Sequence, residues 1–229
     1  LTFHRHMYIP ILIQQFQSIN SDGSHDIELI IFDDTEDSYP FDDTKCSNII
    51  YKHDNSKRFM LWEKRNLLND MSNGDYIFCM DDDDISFKDR IIHSLQELNK
   101  NKNTLICGNS SIYIYNIFTS ELFFFKSKIK SCLLNGTFAY KKALGKTNKY
   151  LKTRFNACEE RSFLKNYRVP YTLLDPKKSI LCIAHNSNTI DKTKFCVNKI
   201  SEEESAELLS QDMRVILRQI YNVHPIVYW

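Results

Sequence analysis

Four consecutive carboxylates, Asp81–Asp84, are the residues whose types and spacing most directly suggest chemistry. They follow an apolar run of strand length, Tyr76–Met80, and Ser86 and Asp89 then open a helical pattern. Adjacent carboxylates at the end of a strand repel one another unless a cation neutralises them, and hard divalent ions prefer oxygen ligands. We therefore favour a metal site here over the alternative, a solvated acidic turn, which is the commoner fate of a charge run.

The composition limits the classes of protein that this chain represents. Its 229 residues include 30 Lys and Arg against 29 Asp and Glu, so no global field attracts nucleic acid. The apolar runs are too short to cross a bilayer and no signal peptide is recognisable. Seven cysteines without a CxxC pair indicate a reduced setting. We expect a cytoplasmic protein, and the abundance of Asn, Lys and Ile suggests a viral or low-GC bacterial origin.

Helices and strands alternate in the pattern of the first half. The predicted order is helix 7–19, strand 27–32, strand 48–51, helix 59–71, strand 76–80 and a helix after Asp89. This order predicts an α/β protein with a mostly parallel central sheet flanked by helices. Because open α/β sheets bind ligands beyond the carboxyl ends of their strands, Asp33 and Asp34 should face the same crevice as the four aspartates. No Gly-rich phosphate loop is present.

The second half has a different pattern. It predicts strands at 104–107, 111–117, 121–126, 136–140 and 180–184, and helices at 155–167 and after Ser201. A capping box formed by Ser201 and Glu204 opens the last helix, which we expect to be long and continuous. The apolar tail Val223–Trp229 should dock on the body or on a partner. No linker divides the chain, so we expect a single domain over residues 1–229.

With these elements placed, the chain resembles the nucleotide-sugar-dependent glycosyltransferases of the GT-A fold, especially the family-two group. The resemblance runs from Thr2 to about Thr189 and depends most on the Asp-x-Asp-Asp pattern at Asp81, Asp83 and Asp84 after an apolar strand. It also includes the end of the first strand (Leu1–Arg5), the acids after the second strand (Asp33-Asp34) and an Arg-Asn pair (Arg65-Asn66). A later acidic pair (Glu159-Glu160) and a His-x-x-Asn-Thr segment (His185–Thr189) complete it. The segment Leu1–Arg5 lacks the proline that is usual in the family.

The resemblance implies a role for each of these positions. The donor nucleotide would contact Thr2, Phe3, Arg5, Asp33, Asp34, Arg65, Asp81 and Asp82. Mn²⁺ or Mg²⁺ would be held by Asp81, Asp83 and His185. Glu160 would be the catalytic base with Glu159 beside it, although the family more often has Asp at the second position. Residues 1–107 would form the nucleotide-sugar half and residues 108–229 the acceptor and catalytic half.

Each assignment has a structural alternative. Asp33 and Asp34 are also suited to capping a turn, Arg65 to a helix surface, and His185 to a satisfied core position. Glu159 and Glu160 both suit the first turn of a helix because of its dipole, so one of the two is expected to be structural.

These residues predict a metal-dependent, inverting glycosyltransferase. A sugar nucleotide carries about two negative charges on its diphosphate, so a carboxylate crevice requires a bridging ion to bind it. The donor would be a UDP-sugar, and the acceptor a hydroxyl on a glycan, protein or lipid-linked molecule. One alternative is a sugar nucleotidyltransferase, although Leu1–Asn20 lacks the Gly-rich basic segment of that class. The other is a non-catalytic domain that binds a metal or a glycan.

Overall fold

The computed structural model describes residues 2, 4–19, 25–42, 47–127, 132–153 and 158–223. Strands β1–β10 span Leu29–Asp33, Ile49–His53, Tyr76–Phe78, Ile85–Ser86, Ile106–Gly108, Ser111–Asn116, Glu121–Lys126, Ala139–Lys141, Tyr171–Leu173 and Ile180–Ala184. Helices α1–α7 span Ile9–Ile19, Leu61–Met71, Arg90–Lys100, Lys142–Thr147, Glu160–Phe163, Glu202–Leu208 and Gln211–Asn222. Most of the predicted elements are therefore confirmed, with ends that differ by a few residues.

The strands form mixed sheets within one α/β domain. β1 pairs with β2 in parallel, while the other two sheets have the orders β4-β10-β6-β7 and β3-β8-β5-β9. The α/β class is confirmed, but antiparallel pairs join the parallel ones. Among the described strands, a short connection explains the antiparallel pair β6–β7, which is a tight hairpin. The other antiparallel pairs join strands that are distant in the sequence.

Strand β10 lies in the middle of the core and explains why its sequence is continuously apolar. All five of its residues are buried. Leu181 and Ile183 pack against α1 and α7 on one side, whereas Ile180 and Cys182 pack against β6 on the other. A strand that is covered on both faces gains from apolar residues at every position.

Two predicted helices are wrong in extent. In place of a helix over 155–167, the described part of that range is helical only at Glu160–Phe163, and Lys165, Asn166 and Tyr167 have φ of 50°, 57° and 60°. The chain must turn here to enter β9, and this left-handed turn ends the helix. The helix after Ser201 is divided because Ser210 caps a new one, accepting a hydrogen bond from the Met213 N–H at 3.3 Å.

Some predictions lie outside the described residues. These are Phe3 and the docking of the tail beyond residue 223. The strand predicted at 76–80 is described and is shorter than expected, since it ends at Phe78, before the acidic loop. Among the described helices, none is both long and apolar enough to cross a membrane.

Candidate functional site

The four aspartates lie in a loop that is held at both ends. Before the loop, β3 pairs with β8, and the Cys79 N–H continues this pairing by donating to the Phe138 carbonyl at 2.9 Å. After the loop, β4 pairs with β10. Asp84 closes this end, because its carboxylate accepts a hydrogen bond from the Ile183 N–H at 2.9 Å. The loop is thereby fixed between two sheets.

Side chains of the protein supply the counter-charges for this loop. Arg5 Nη1 lies 2.9 Å from Asp82 Oδ1 and 3.0 Å from Asp83 Oδ2. Lys192 Nζ lies 2.8 Å from Asp84 Oδ1 and 3.8 Å from Asp83 Oδ1. Burying three carboxylates without such partners would be strongly unfavourable. Part of the positive charge that these acids require therefore comes from side chains of the protein itself.

The environment separates the protonation behaviour of two neighbouring aspartates. Burial, reinforced by repulsion from Asp83, raises the pKa of Asp82 to about 6 despite the opposing effect of Arg5. Burial alone would also raise the pKa of Asp83, but Lys192, His185 and Arg5 together hold that pKa far below its usual range. Lys192, His185 and Arg5 therefore favour the ionised form of Asp83, whereas burial disfavours the ionised form of Asp82.

Asp81 is connected to the later acidic pair through one arginine. Its carboxylate is 32% exposed and lies 3.6 Å from Arg65 Nη2. Arg65 Nε donates to Glu159 Oε1 at 2.6 Å, and the guanidinium lies 6.0 Å from the centre of the Tyr150 ring. Glu159 itself is buried. Of the two predicted glutamates, Glu159 is therefore the one that holds Arg65 in place.

Glu160 differs from its neighbour in its contacts. The Tyr167 hydroxyl donates a hydrogen bond to Glu160 Oε1 at 3.3 Å, and the carboxylate makes no ion pair with any described residue. Burial, together with the nearby charge of Glu159, raises the pKa of Glu160. A partly buried carboxylate with a raised pKa is suited to accept a proton.

Asp33 and Asp34 are buried at the end of β1. Asp33 accepts hydrogen bonds from the Thr35 N–H and hydroxyl and from the Tyr51 hydroxyl. Asp34 binds Lys64, and Arg58 Nη1 at 2.7 Å. Asp34 therefore holds two cationic side chains in place, and these cations, unlike the acids, line the same cavity as the aspartates.

Most of the predicted site residues line one cavity of about 650 Å³. The predicted residues that line it are Thr2, Arg5, Arg65, Asp81, Asp82, Asp83, Glu159 and Glu160. Lys64 and Arg58 also line it, whereas Asp33, Asp34 and His185 do not. A second cavity, of about 810 Å³, shares only Arg65 with the predicted site.

The predicted metal ligands Asp81, Asp83 and His185 are arranged differently from the expectation. His185 Nε2 lies 3.1 Å from Asp83 Oδ2 and 2.8 Å from the Asn188 amide nitrogen, and its side chain is fully buried. His185 and Asp83 are therefore bonded to each other. Across the described ranges, no group of three or more His, Cys, Asp or Glu side chains is arranged to hold a metal ion.

Three residues of the site carry no recognisable sequence signal. Lys192 lies in a short 3-10 turn after β10, and nothing in its local pattern marks it as the partner of Asp84. Tyr167 reaches Glu160 only because of the left-handed turn before β9. Asn135 lines the cavity from another 3-10 turn, and its place in the sequence does not mark it as part of the site.

Comparison with known families decides the affiliation of the chain. Residues 2–167 match the model of glycosyl transferase family 2. The chain belongs to this family. The match includes the first strand end, the acidic loop and both glutamates, so the predicted resemblance is confirmed. Among curated proteins, the sequence has no significant match.

Solved structures give the same fold. The structure of S. aureus TarS 1–349 is similar with a TM-score of 0.58 and 14% sequence identity, over 96% of this chain and 64% of that one. The structure of the same protein in complex with UDP-GlcNAc is similar with a TM-score of 0.57 and 16% identity, over 96% and 65%. The family-two chain thus spans slightly less than two thirds of those relatives, and at these identities the similarity establishes the GT-A fold.

The Arg65 contacts generate a stability prediction. Replacing Arg65 by Met leaves Glu159 buried without its cation, so the free energy of unfolding should fall by about 3–5 kcal/mol. The double variant Arg65→Met, Glu159→Gln should recover part of this loss, because no buried charge is then left unpaired. Chemical denaturation measures both. Equal losses in the single and double variants would contradict the role assigned to the ion pair.

Proposed function

We propose that this family-two protein transfers a sugar from a nucleoside diphosphate to an acceptor hydroxyl. The observation that carries the proposal is the shared cavity, which is lined by both the acidic loop and Glu160. The diphosphate would bind near the aspartates, and the base would act on the acceptor. Both halves of the chain, residues 1–107 and 108–229, contribute to this lining, in agreement with a donor half and an acceptor half.

The balance of acidic and basic residues that line the cavity supports the binding of a divalent metal ion. The lining contains six acidic residues, Asp81–Asp84, Glu159 and Glu160, against five basic ones, Arg5, Arg58, Lys64, Arg65 and Lys192. A bound diphosphate would add about two further negative charges. A divalent cation would compensate them, and its hard character suits carboxylate oxygens.

Two carboxylates have the capacity to hold such an ion. Asp82 Oδ2 is buried and has no hydrogen-bond partner in the described structure, and Asp81 is the most exposed of the four aspartates. Asp81 and Asp82 would bind Mn²⁺ or Mg²⁺, with Asp83 behind them, held by His185 and Arg5. When bound, the ion neutralises charge that develops on the departing diphosphate.

The chain's own residues then account for the transfer step. Glu160 accepts the proton of the acceptor hydroxyl while the acceptor oxygen attacks the anomeric carbon. The bond from that carbon to the diphosphate oxygen breaks, and Arg5 and Lys192 stabilise the negative charge of the leaving group. Because this is one displacement from the opposite face, the anomeric configuration inverts.

The comparisons support the donor class that we propose, and the acceptor class is part of the same proposal. TarS has been crystallised with UDP-GlcNAc, so a UDP-sugar is the donor that we propose. The acceptor is a hydroxyl of a glycan, a protein or a lipid-linked molecule. It would approach Glu160 within this cavity, whose described lining also includes apolar residues of β6 and β10 such as Ile112 and Ile180.

Removing the proposed base separates binding from transfer. Glu160→Gln keeps the size of the side chain but loses its basicity, so the rate of transfer should fall by roughly 10²- to 10⁴-fold while the donor dissociation constant is unchanged. The rate is measured as release of UDP from UDP-sugars with acceptor or water, and the dissociation constant by calorimetry. Glu203→Gln, on the exposed face of α6, is the control. Wild-type turnover by Glu160→Gln would place the base elsewhere.

The raised pKa of Glu160 predicts the pH dependence of transfer. The base works only when it is ionised, so kcat/KM should be lost as pH falls through a pKa above the usual glutamate range. The hydrogen bond from Tyr167 lowers that pKa, so Tyr167→Phe should move the acid limb to higher pH. The exposed Tyr221 gives the control variant, Tyr221→Phe. An acid limb that stays in place in Tyr167→Phe would show that Glu160 does not govern it.

A further inference from the structure

Three residues that line the cavity each have a buried polar side-chain atom with no hydrogen-bond partner among the described residues. These atoms are Thr2 Oγ1, Asp82 Oδ2 and Asn135 Oδ1. Buried polar atoms in folded proteins are nearly always paired with the protein, ordered water or a ligand. Thr2 and Asp82 belong to the segments already assigned to the donor. Asn135 belongs to no assigned feature.

The Asn135 side chain is held by an aromatic cluster. Its amide nitrogen donates to the Tyr150 hydroxyl at 3.1 Å. The Tyr150 ring is stacked on Phe163 with ring centres 4.3 Å apart, and Asn66 bonds both the backbone N–H and the carbonyl of Tyr150. Because Tyr150 is fixed in this way, the amide of Asn135 has a defined orientation, and its buried oxygen is left without a partner among the described residues.

The position of Asn135 in the cavity indicates which part of the substrate would lie beside it. The next residue, Gly136, lies so close to Asp81 that an added Cβ would be 2.8 Å from Asp81 Oδ2. Glu160 lines the same cavity. If the diphosphate binds at the aspartates and the acceptor at Glu160, as the proposed function requires, the transferred sugar lies between them and beside Asn135.

We propose that Asn135 Oδ1 accepts a hydrogen bond from one hydroxyl of the transferred sugar and so determines which sugar the site accepts. A buried oxygen that is fixed in place favours a hydroxyl and disfavours its absence, because removal of the hydroxyl leaves the oxygen unpaired. Asn135 is thus a specificity-determining residue of the donor site. The chemical group that it recognises is a hydroxyl donor on a carbohydrate ring.

The test compares a UDP-sugar with its deoxy analogues. The UDP-sugar that gives the largest thermal shift is chosen, and each hydroxyl of its sugar is removed in turn. For the wild-type protein, one deoxy analogue should bind about tenfold more weakly than the parent. In Asn135→Ala that analogue and the parent should bind equally. Asn135→Asp, which keeps an acceptor oxygen, should retain the discrimination.

The control variant uses a matched asparagine outside the cavity. Asn109 is 2% exposed, its Oδ1 is also unpartnered, and it lines neither cavity. Asn109→Ala should leave the ratio between parent and analogue unchanged. A ratio that is the same in wild type and Asn135→Ala for every analogue would overturn the proposal and leave water as the partner of Oδ1.

Binding of UDP, which carries no sugar, distinguishes failure of the Asn135 proposal from failure of the proposed function. Binding of UDP with Mn²⁺ tests the donor site alone. If UDP binds and the deoxy series shows no discrimination, the assignment of Asn135 fails while the proposed function stands. If neither UDP nor any UDP-sugar binds, the proposed function fails, and the proposal for Asn135 fails with it.

Discussion

Neutralisation of three buried carboxylates is the constraint that shapes this site. Asp82, Asp83 and Asp84 are each less than a tenth exposed, and charges of one sign cannot share a buried loop without partners. The partners come from opposite ends of the chain, Arg5 from the turn before α1 and Lys192 from the turn after β10. The requirement to pair these charges therefore brings the N-terminal and C-terminal segments together around the loop.

This pairing also determines which groups are left for a ligand. Asp83 is already bonded to Arg5, His185 and Asn188, and Asp84 to Lys192 and the backbone of β10. The exposed carboxylate of Asp81 and one oxygen of Asp82 are what remain on the acidic side. On the other side, Arg65 takes up Glu159 and leaves Glu160 outside any ion pair with a described residue. The acids therefore differ in how fully partners within the protein engage them.

Local sequence patterns were sufficient for much of this architecture. The apolar strand before Asp81 and the helical spacing of 7–19 and 59–71 depend on neighbouring residues alone, and each is found close to its predicted position. The family resemblance brought together Arg5, Arg65, the aspartates and Glu160, which line one cavity. The rule that ligands bind beyond strand ends also placed Asp33 and Asp34 in this crevice, and they do not line it.

The remaining features depend on contacts between distant residues. The antiparallel insertion of β8 between β3 and β5 cannot be derived from the residues of β8. The same holds for Lys192, whose role depends on a partner 108 positions away. The left-handed turn at Lys165–Tyr167 has no glycine to indicate it, which explains why a continuous helix was predicted there.

The most direct test of the account is the affinity of UDP for the wild-type protein with Mn²⁺ and with EDTA, measured by titration calorimetry. If the cavity binds a nucleoside diphosphate through a metal held by Asp81 and Asp82, UDP should bind at least about tenfold more tightly with Mn²⁺. Asp81→Asn should remove most of this difference. Equal affinity with Mn²⁺ and EDTA would contradict a metal-bridged donor site, and no binding in either case would contradict the donor site itself.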